Sequence, residues 1–483
     1  MDEFEKALSE IKDAAPKTEG TYERFSIKAK RHKEKNIHAR KNLHVGRKIG
    51  IACAALASVV ILLPGIGLLA VSMRIKDVHH TLSRAYSLKE AREIQEETFR
   101  RLNSFEYLEG GDDWKVEDAY RDAVNAFADS LYEAMPLKSN AVYSPLSLYL
   151  HLDLLSHGLA NQTGTEAFDN ALCLPKKDRD ENFLSAFYGN RRNEKTFASM
   201  ANGAFLDDGL TFQGDYLDYL TSKYVEAYSM DFGSETDRIR MMDWANGNLN
   251  EAMMNDEDFD FPDEISFALL SLLEFHGKWS FEKEDTYEVP FLCKDGSEVN
   301  VPMMHDTFYG TAYDYGDYWS FTMPFANGYR MQVMTPDERE GDIFSILKGK
   351  SFLQNDPEKA YVAEGGYDEY LIEVGIPRFE TSFSFSFVPA LKKMGLEFLY
   401  DRDNPAFDGI AQEASIFLVD TKQKNKVFWD EEGFRGKTVT FSMAAGSAAP
   451  MPNGVRFTLD SPFVYVIKDP NGLPLYLGNV SSF

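Results

Sequence analysis

The chain has 483 residues, 44% of them hydrophobic, and a formal net charge of −26. This length and apolar content suffice for one large core or two ordinary ones. Residues 1–48 hold thirteen Lys and Arg against eight Asp and Glu, a surplus of five, so the remainder carries a net charge of −31. An acidic body of this kind argues against nucleic-acid binding, and we expect no nucleic-acid partner.

The N-terminal region joins a basic segment to a long apolar run. Residues 49–73 contain no charged side chain, and these 25 positions make a helix of about 37 Å. Because Lys and Arg crowd the N-terminal side, we place residues 1–48 in the cytoplasm and the folded part outside the cell. The sequence thus predicts a single-pass membrane protein anchored through residues 49–73. A signal peptide cleaved near Ala70–Ser72 and a buried core helix are the alternatives, and the long polar segment before the run favours the anchor.

The rest of the chain indicates a stalk followed by one large domain. Apolar residues at near-helical spacing predict a helical stalk or linker over 74–114, and the folded domain covers 115–483. Helices are predicted over 120–135 and from a Ser144 cap and Pro145 onward. Short apolar or alternating segments predict strands at 299–304, 329–334, 371–376, 382–387, 415–419, 455–459, 463–467 and 475–480. Helices first and strands later indicate an α+β fold.

Three classes of chemical site find little support in the sequence. Three cysteines are too few for a disulfide framework; a Cys173–Cys293 bridge is possible but not required. No metal-ligand spacing, nucleophile elbow or phosphate loop occurs, so we expect no catalytic residue, metal or cofactor. The acidic run 256–263 lacks Ca²⁺-ligand spacing and is interpreted as a solvated loop. His151, His157 and His276 are interpreted as structural histidines.

A distinctive segment begins at Asp430-Glu431-Glu432-Gly433. It continues over residues 433–450 with few charges, many small side chains and no internal proline. Such a segment is typical of an exposed loop that is also able to adopt a strand.

Several blocks resemble the serpin family of protease inhibitors, in the family's order and over essentially all of residues 115–483. The blocks are Asn140–Ser147 with Gly158 and Thr163, Phe275–Trp279, Val301–Met304, Pro324–Phe325, Thr335–Glu338, Ile376–Phe379, Ser461–Phe463 and Leu477–Val480. The resemblance implies an α+β fold with a large central β-sheet, a second sheet, about nine helices and an exposed reactive loop. It also implies a metastable, monomeric inhibitor, not an enzyme, which traps an extracellular serine protease as a covalent acyl-enzyme.

The resemblance also assigns residues to the loop. The hinge would comprise Glu431, Glu432, Gly433, Phe434, Arg435 and Gly436. Counting about fourteen residues from Gly433 puts the reactive bond at Ser447–Ala448, with Ala448–Ala449 next. Small residues there suit an elastase-like or subtilisin-like protease, whereas Phe441 and Met443 are second choices for a chymotrypsin-like one.

Insertion of the cut loop into the sheet requires small side chains at every second position, because strand side chains alternate between faces. One face would carry Phe434, Gly436, Thr438, Thr440, Ser442, Ala444 and Gly446, all small after Phe434. The other would carry Arg435, Lys437, Val439, Phe441, Met443 and Ala445. This pattern favours an active inhibitor.

Five positions depart from the family's pattern: Phe434, Arg435, Lys437, Ser271 and Gln423. Arg435 and Lys437 replace small or acidic residues. Phe434 stands where a small Thr or Ser is usual, and overpacking typically costs ~1–3 kcal/mol. In the sheet-opening region, which comprises Ser144, Ser147, Ser271, Trp279 and Gln423, Ser271 replaces asparagine and Gln423 replaces histidine. The alternative hypothesis is therefore a non-inhibitory binding or surface protein with the same fold, whose loop is only a substrate.

Overall fold

The computed structural model describes residues 99–483, apart from 111–112, 136–138, 160–161, 191–197, 250–251, 260, 263, 278–280, 282, 326–327, 355–369, 432 and 435–453. The predicted tail (1–48), membrane span (49–73) and residues 74–98 of the predicted stalk therefore lie outside the described residues. None of the helices in the described ranges has the length and apolar character needed to cross a membrane.

Eight α-helices occur in the described ranges. They are α1 (Asp118–Ala134), α2 (Pro145–Ser156), α3 (Gln162–Ala171), α4 (Lys176–Gly189), α5 (Gly214–Ser222), α6 (Glu235–Gly247), α7 (Ile343–Leu347) and α8 (Val388–Leu391). This number is close to the predicted nine.

Seventeen strands accompany these helices in the same ranges. They are β1 (Arg100–Arg101), β2 (Ala141–Tyr143), β3 (Ala198–Asp207), β4 (Glu226–Met230), β5 (Phe267–Phe275), β6 (Thr286–Leu292), β7 (Glu298–Gly310), β8 (Ala312–Asp314), β9 (Tyr318–Pro324), β10 (Arg330–Pro336), β11 (Tyr370–Pro377), β12 (Phe379–Ser386), β13 (Lys422–Asp430), β14 (Gly433–Phe434), β15 (Gly454–Thr458), β16 (Phe463–Lys468) and β17 (Pro474–Val480). The predicted α+β class is confirmed.

The strands form four sheets among the described residues. Their orders are β1-β4-β3-β5, β2-β17-β16-β10-β9-β8, β15-β11-β7-β6 and β12-β13-β14. The first and last of these are the two parts of the central sheet, which line opposite sides of one cleft.

The C-terminal hairpin lies in the middle of the six-stranded sheet. Every residue of β16 and β17 is buried, and β17 lies between β2 and β16. Gly478 is directly opposite Tyr465, and a Cβ at this position would lie 2.3 Å from the ring carbon Cζ of Tyr465. A residue without a side chain is therefore required at 478, because this close packing leaves no space for a methyl group.

Helix α2 begins as its sequence predicts. The Ser144 side chain accepts a hydrogen bond from the Ser147 backbone N–H at 3.1 Å, and Pro145 occupies the first turn. This arrangement satisfies one of the free N–H groups at the helix start. Eleven of the twelve α2 residues are fully buried, and His151 is half-buried.

A buried ion pair joins α2 to α3 and α4. The Arg179 Nε atom lies 2.8 Å from Oδ1 of Asp153, both side chains being fully buried, and its Nη1 lies 2.7 Å from Oδ1 of Asp169. Arg179 also donates to the Leu174 carbonyl. Burial raises the pKa of Asp153, and the attraction of Arg179 opposes that rise.

Several expectations need correction. Residues 415–419 do not form a strand; Ile416 makes only an isolated bridge with Phe407. Residues 99–110 of the predicted helical stalk form no helix and include β1. Strands β3, β4 and β5 come before the region where strands were expected. Cys173 and Cys293 are both free cysteines, so the possible bridge between them is not formed.

We expect Arg179→Met to destabilise the fold by about 3–5 kcal/mol, because it leaves the Asp153 carboxylate buried without its partner. The measurement is the urea midpoint followed by circular dichroism. Arg121→Met is the matched control, since Arg121 pairs with Asp118 and Asp122, which are 85% and 54% exposed. Surface pairs of that kind contribute about 0–1 kcal/mol. Equal losses in the two variants would contradict the assigned role of Arg179.

Candidate functional site

The central sheet is divided into two parts by a cleft. One part has the order β1-β4-β3-β5 and the other β12-β13-β14, and within the described ranges no ladder joins β5 to β13. The cleft has a volume of about 420 Å³ and is lined by residues 273–275 of β5, 424–426 of β13 and 382–384 of β12. Neighbouring strands lie about 4.8 Å apart, so a further strand between β5 and β13 requires the two parts to separate by about that distance.

The segment after α6 passes over this cleft. Met253 lines it, and the Asp258 carboxylate lies 2.8 Å from Nζ of Lys424 on β13. The acidic run interpreted as a solvated loop therefore supplies an ion pair beside the cleft. Across the described residues, no group of three or more His, Cys, Asp or Glu side chains is arranged to hold a metal ion.

At one end of the cleft the chain turns back along β13. After Glu431, strand β14 pairs antiparallel with β13, Gly433 opposite Asp430 and Phe434 opposite Trp429. Since β12 occupies the other edge of β13, β14 starts along the edge that an added strand would use. Of the predicted hinge, Glu431, Gly433 and the Phe434 backbone are described, whereas Glu432, Arg435 and Gly436 lie outside the described residues.

The hinge is fixed by Glu431. This residue is only 6% exposed, and its carboxylate accepts hydrogen bonds from Thr286 Oγ1 at 3.1 Å and Arg378 Nη1 at 3.2 Å. Its carbonyl accepts from the Phe281 N–H at 3.2 Å. Burial by itself would raise the pKa of Glu431, but these partners and its own backbone N–H outweigh burial and hold that pKa below its usual range.

A buried tryptophan supports the same end of the sheet. Trp429 is 1% exposed, and its ring centroid lies 4.9 Å from that of Phe379 and 4.6 Å from that of Tyr465. The sequence interpretation missed Trp429, although its position just before Asp430-Glu431 was a usable signal. The predicted Trp279 lies outside the described residues.

At the other end, a side-chain amide ties β13 to the start of α2. The Gln423 Oε1 atom accepts from the Ser144 N–H at 2.9 Å, and its Nε2 donates to the Ser144 carbonyl at 3.0 Å. Ser147 reaches this cluster through its own N–H bond to Ser144 Oγ. Three of the predicted sheet-opening residues therefore lie together.

The β5 side is tied to the same helix by a different pair. Ser271 Oγ on β5 lies 3.1 Å from Nδ1 of His151 on α2, away from the Gln423 contact. Burial lowers the pKa of His151 to about 4, so the ring is neutral near pH 7. His151 was interpreted as structural only, and a single sequence gives no signal that pairs it with Ser271.

The residues assigned to the reactive bond, Ser447, Ala448 and Ala449, lie outside the described residues. The chain is described again from Gly454, where β15 pairs in parallel with β11 at the edge of another sheet. The two ends of the undescribed segment 435–453 are thus fixed in separate sheets.

Comparison with known proteins agrees with this architecture. The family model described as serpin (serine protease inhibitor) matches residues 122–483. Serpin-Z10 of Arabidopsis thaliana is 25% identical over 363 residues, which cover 71% of this chain and 91% of that protein. A thermophilic serpin, tengpin, in its native state superimposes with a TM-score of 0.65 at 18% identity, covering 80% of this chain and all of tengpin.

A third protein, solved with a bound ligand, also shares the fold. Thyroxine-binding globulin in complex with thyroxine superimposes with a TM-score of 0.60 at 19% identity, covering 75% of this chain and 98% of that one. At these identities the solved structures support the fold alone. The family model covers three quarters of the chain, and on that basis the chain belongs to the serpin family, whose members are generally serine protease inhibitors.

Proposed function

We propose that this chain traps serine proteases by inserting its own cleaved loop between β5 and β13. The observation that carries the proposal is β14, which already pairs antiparallel along the cleft edge of β13. Continuing that pairing would add a strand to β13 and fill the cleft. The alternating small residues from Gly436 to Gly446 suit a strand with one face against the core.

The proposed reaction uses the nucleophile of the protease. Its serine attacks the carbonyl carbon of Ser447 and forms an ester, while the Ser447–Ala448 bond breaks and Ala448 leaves with a free amino group. The chain segment that ends at Ser447 then carries the protease, and the segment that begins at Ala448 stays attached to β15. Once the bond is cut, the hinge side is free to extend along β13 before water hydrolyses the ester.

Target class follows from the side chains at the bond. Ser447, Ala448 and Ala449 are small, and we propose an extracellular elastase-like or subtilisin-like protease as the partner of a monomeric inhibitor.

We expect the full-length protein in detergent to form a covalent complex with such a protease that survives boiling on a denaturing gel. The nicked protein should melt at a higher temperature than the intact one, because an inserted strand completes the sheet. Cleavage that leaves the protease active and the melting temperature unchanged would contradict the trapping mechanism.

Two matched variants separate insertion from cleavage. Thr438→Arg places a charged, bulky group on the face that must enter the core, whereas Val439→Arg places it on the opposite face. We expect both variants to be cut at Ser447, but only Val439→Arg to retain the covalent complex. Loss of the complex in both would show that the assigned alternation of faces is wrong.

A second candidate function is a non-inhibitory surface or binding protein. Phe434 favours it, because this large residue stands at the start of the segment to be inserted, where a small Thr or Ser is usual. Thyroxine-binding globulin, matched above, shows that this fold also occurs in a protein solved in complex with thyroxine.

Phe434→Thr distinguishes the two candidates. If the chain is an inhibitor slowed by overpacking, removing a cost of ~1–3 kcal/mol should raise the ratio of trapped to cleaved product several-fold. Gel densitometry over a time course measures this ratio. No covalent product from either the wild type or the variant would favour the non-inhibitory function.

We further propose that residues 49–73 anchor the protein, with residues 1–48 in the cytoplasm and the serpin domain outside the cell. The support is the charge-free run and the basic residues before it. In cells, the intact chain should remain in membranes after an alkaline wash. Leu62→Arg should weaken this retention, since a charge at the centre of a span costs about 2.5–3.5 kcal/mol, while Leu82→Arg should not. Release of an N-terminally shortened chain into the medium would instead indicate a cleaved signal peptide.

A further inference from the structure

The central sheet ends on one side in a very short strand. Among the described residues its outermost strand there is β1, Arg100 and Arg101, which pair antiparallel with Ser229 and Tyr228 of β4. These residues precede the part of the chain that matches the serpin family model, residues 122–483. Without β1, strand β4 would be the outer edge and would present unpaired N–H and C=O groups to other molecules.

Strand β4 would by itself be a good template for a further strand. Its five residues, Glu-Ala-Tyr-Ser-Met, contain no proline and one charged side chain, Glu226. That carboxylate is already engaged, because it accepts hydrogen bonds from Tyr228 Oη at 2.5 Å and from Trp244 Nε1 at 2.9 Å. Free charges and prolines are the usual means of keeping a strand edge unpaired, and β4 offers neither.

The two residues after β1 close the rest of this edge. The Leu102 N–H donates to the Ala227 carbonyl at 2.7 Å. The Asn103 side chain continues the contact: its Oδ1 accepts from the Ala227 N–H at 3.0 Å, and its Nδ2 donates to the Val225 carbonyl at 2.8 Å. One side-chain amide therefore occupies the two backbone groups on either side of Glu226 that an added strand would bond.

The new outer strand is a poor template for a second chain. Strand β1 has only two residues, and both arginine side chains are exposed. Two identical chains related by a two-fold axis would bring their β1 strands together antiparallel, so that arginine would lie opposite arginine. Like charges directly opposite each other destabilise the pairing of strands.

We propose that residues 100–103 form an edge guard, which occupies β4 and prevents the β4 strands of two copies of this chain from pairing. The partner that the edge guard excludes is a second copy, because an antiparallel pair about a two-fold axis uses the same edge of β4 on both chains. The edge guard lies on the outer edge of the sheet, whereas β5 lines the cleft. It does not rest on the proposed trapping of proteases.

The experiment opens the edge in the full-length chain in detergent and measures its mass. Leu102→Pro combined with Asn103→Ala removes the N–H donor and the amide that close the edge of β4. Light scattering after size exclusion, corrected for bound detergent, gives the mass over a range of protein concentrations. We expect the wild type to keep a constant mass and the double variant to double its mass as the concentration rises.

Asn140→Ala is the matched control. The Asn140 amide makes a similar set of bonds, since it donates to the Ser482 carbonyl at 2.8 Å and accepts from the Ser481 N–H at 2.7 Å. These bonds lie beside β2 and β17, which already pair with each other. Their loss opens no strand edge, so the control should keep the wild-type mass. An equal increase in mass in the control would attribute association to general destabilisation and overturn the proposal.

A second variant tests the charges of the edge guard separately. Arg100→Thr combined with Arg101→Thr keeps a strand-forming residue at both positions and removes the like charges. We expect this variant to dimerise through β1, more weakly than the first variant does through β4. It also decides the question if circular dichroism shows that the first variant fails to fold.

Hydrogen exchange locates the interface. In the Leu102→Pro, Asn103→Ala variant the Ala227 N–H has lost its acceptor, so at low concentration it should exchange several-fold faster than in the wild type. Protection of residues 226–230 should return as the dimer forms. Constant mass in both edge variants, or a dimer that protects neither residues 226–230 nor residues 100–101, would overturn the proposal.

Discussion

The contacts that α2 makes with both parts of the central sheet hold the cleft at its present width. Gln423 ties β13 to the first turn of the helix, and Ser271 ties β5 to His151 one to two turns later. Helix α2 is itself nearly all buried and is fixed to α4 by the Asp153–Arg179 pair. Because both parts of the sheet are tied to one helix, they can separate only if the Gln423–Ser144 or the Ser271–His151 contact breaks. Each such contact stabilises the closed sheet by about 1 kcal/mol.

The two ends of the cleft have different chemistry, and under the proposed insertion this difference would give the sheet a direction of opening. At the hinge end the contacts are aromatic packing around Trp429 and a charged anchor at Glu431. At the other end they are neutral hydrogen bonds to α2. A strand that continues β14 therefore meets the cleft first at the end where the hinge already lies, and the neutral contacts are the last to separate.

Much of the architecture could be predicted from the sequence, because the apolar patterns of α1, α2 and the C-terminal strands indicate which of their residues are buried. The site was less accessible. Gln423 and Ser144 are 279 residues apart, and the resemblance to serpins, not any local pattern, placed them in one region. Strands β3 and β4 were missed since a sheet that is buried on both faces loses its alternation. Residues 99–110 were assigned to a helix by local composition, whereas a tertiary contact, the pairing with β4, makes Arg100 and Arg101 a strand.

The position of β17 has a consequence for the order of folding. This strand comes last among the described strands, yet it lies between β2 and β16, and every one of its residues is buried. During synthesis β2 therefore emerges more than 300 residues before its only described partner strand. The core therefore remains incomplete, with apolar surfaces uncovered, until residues 474–480 have left the ribosome. Loss of these residues would remove an inner strand of that sheet rather than one of its edge strands.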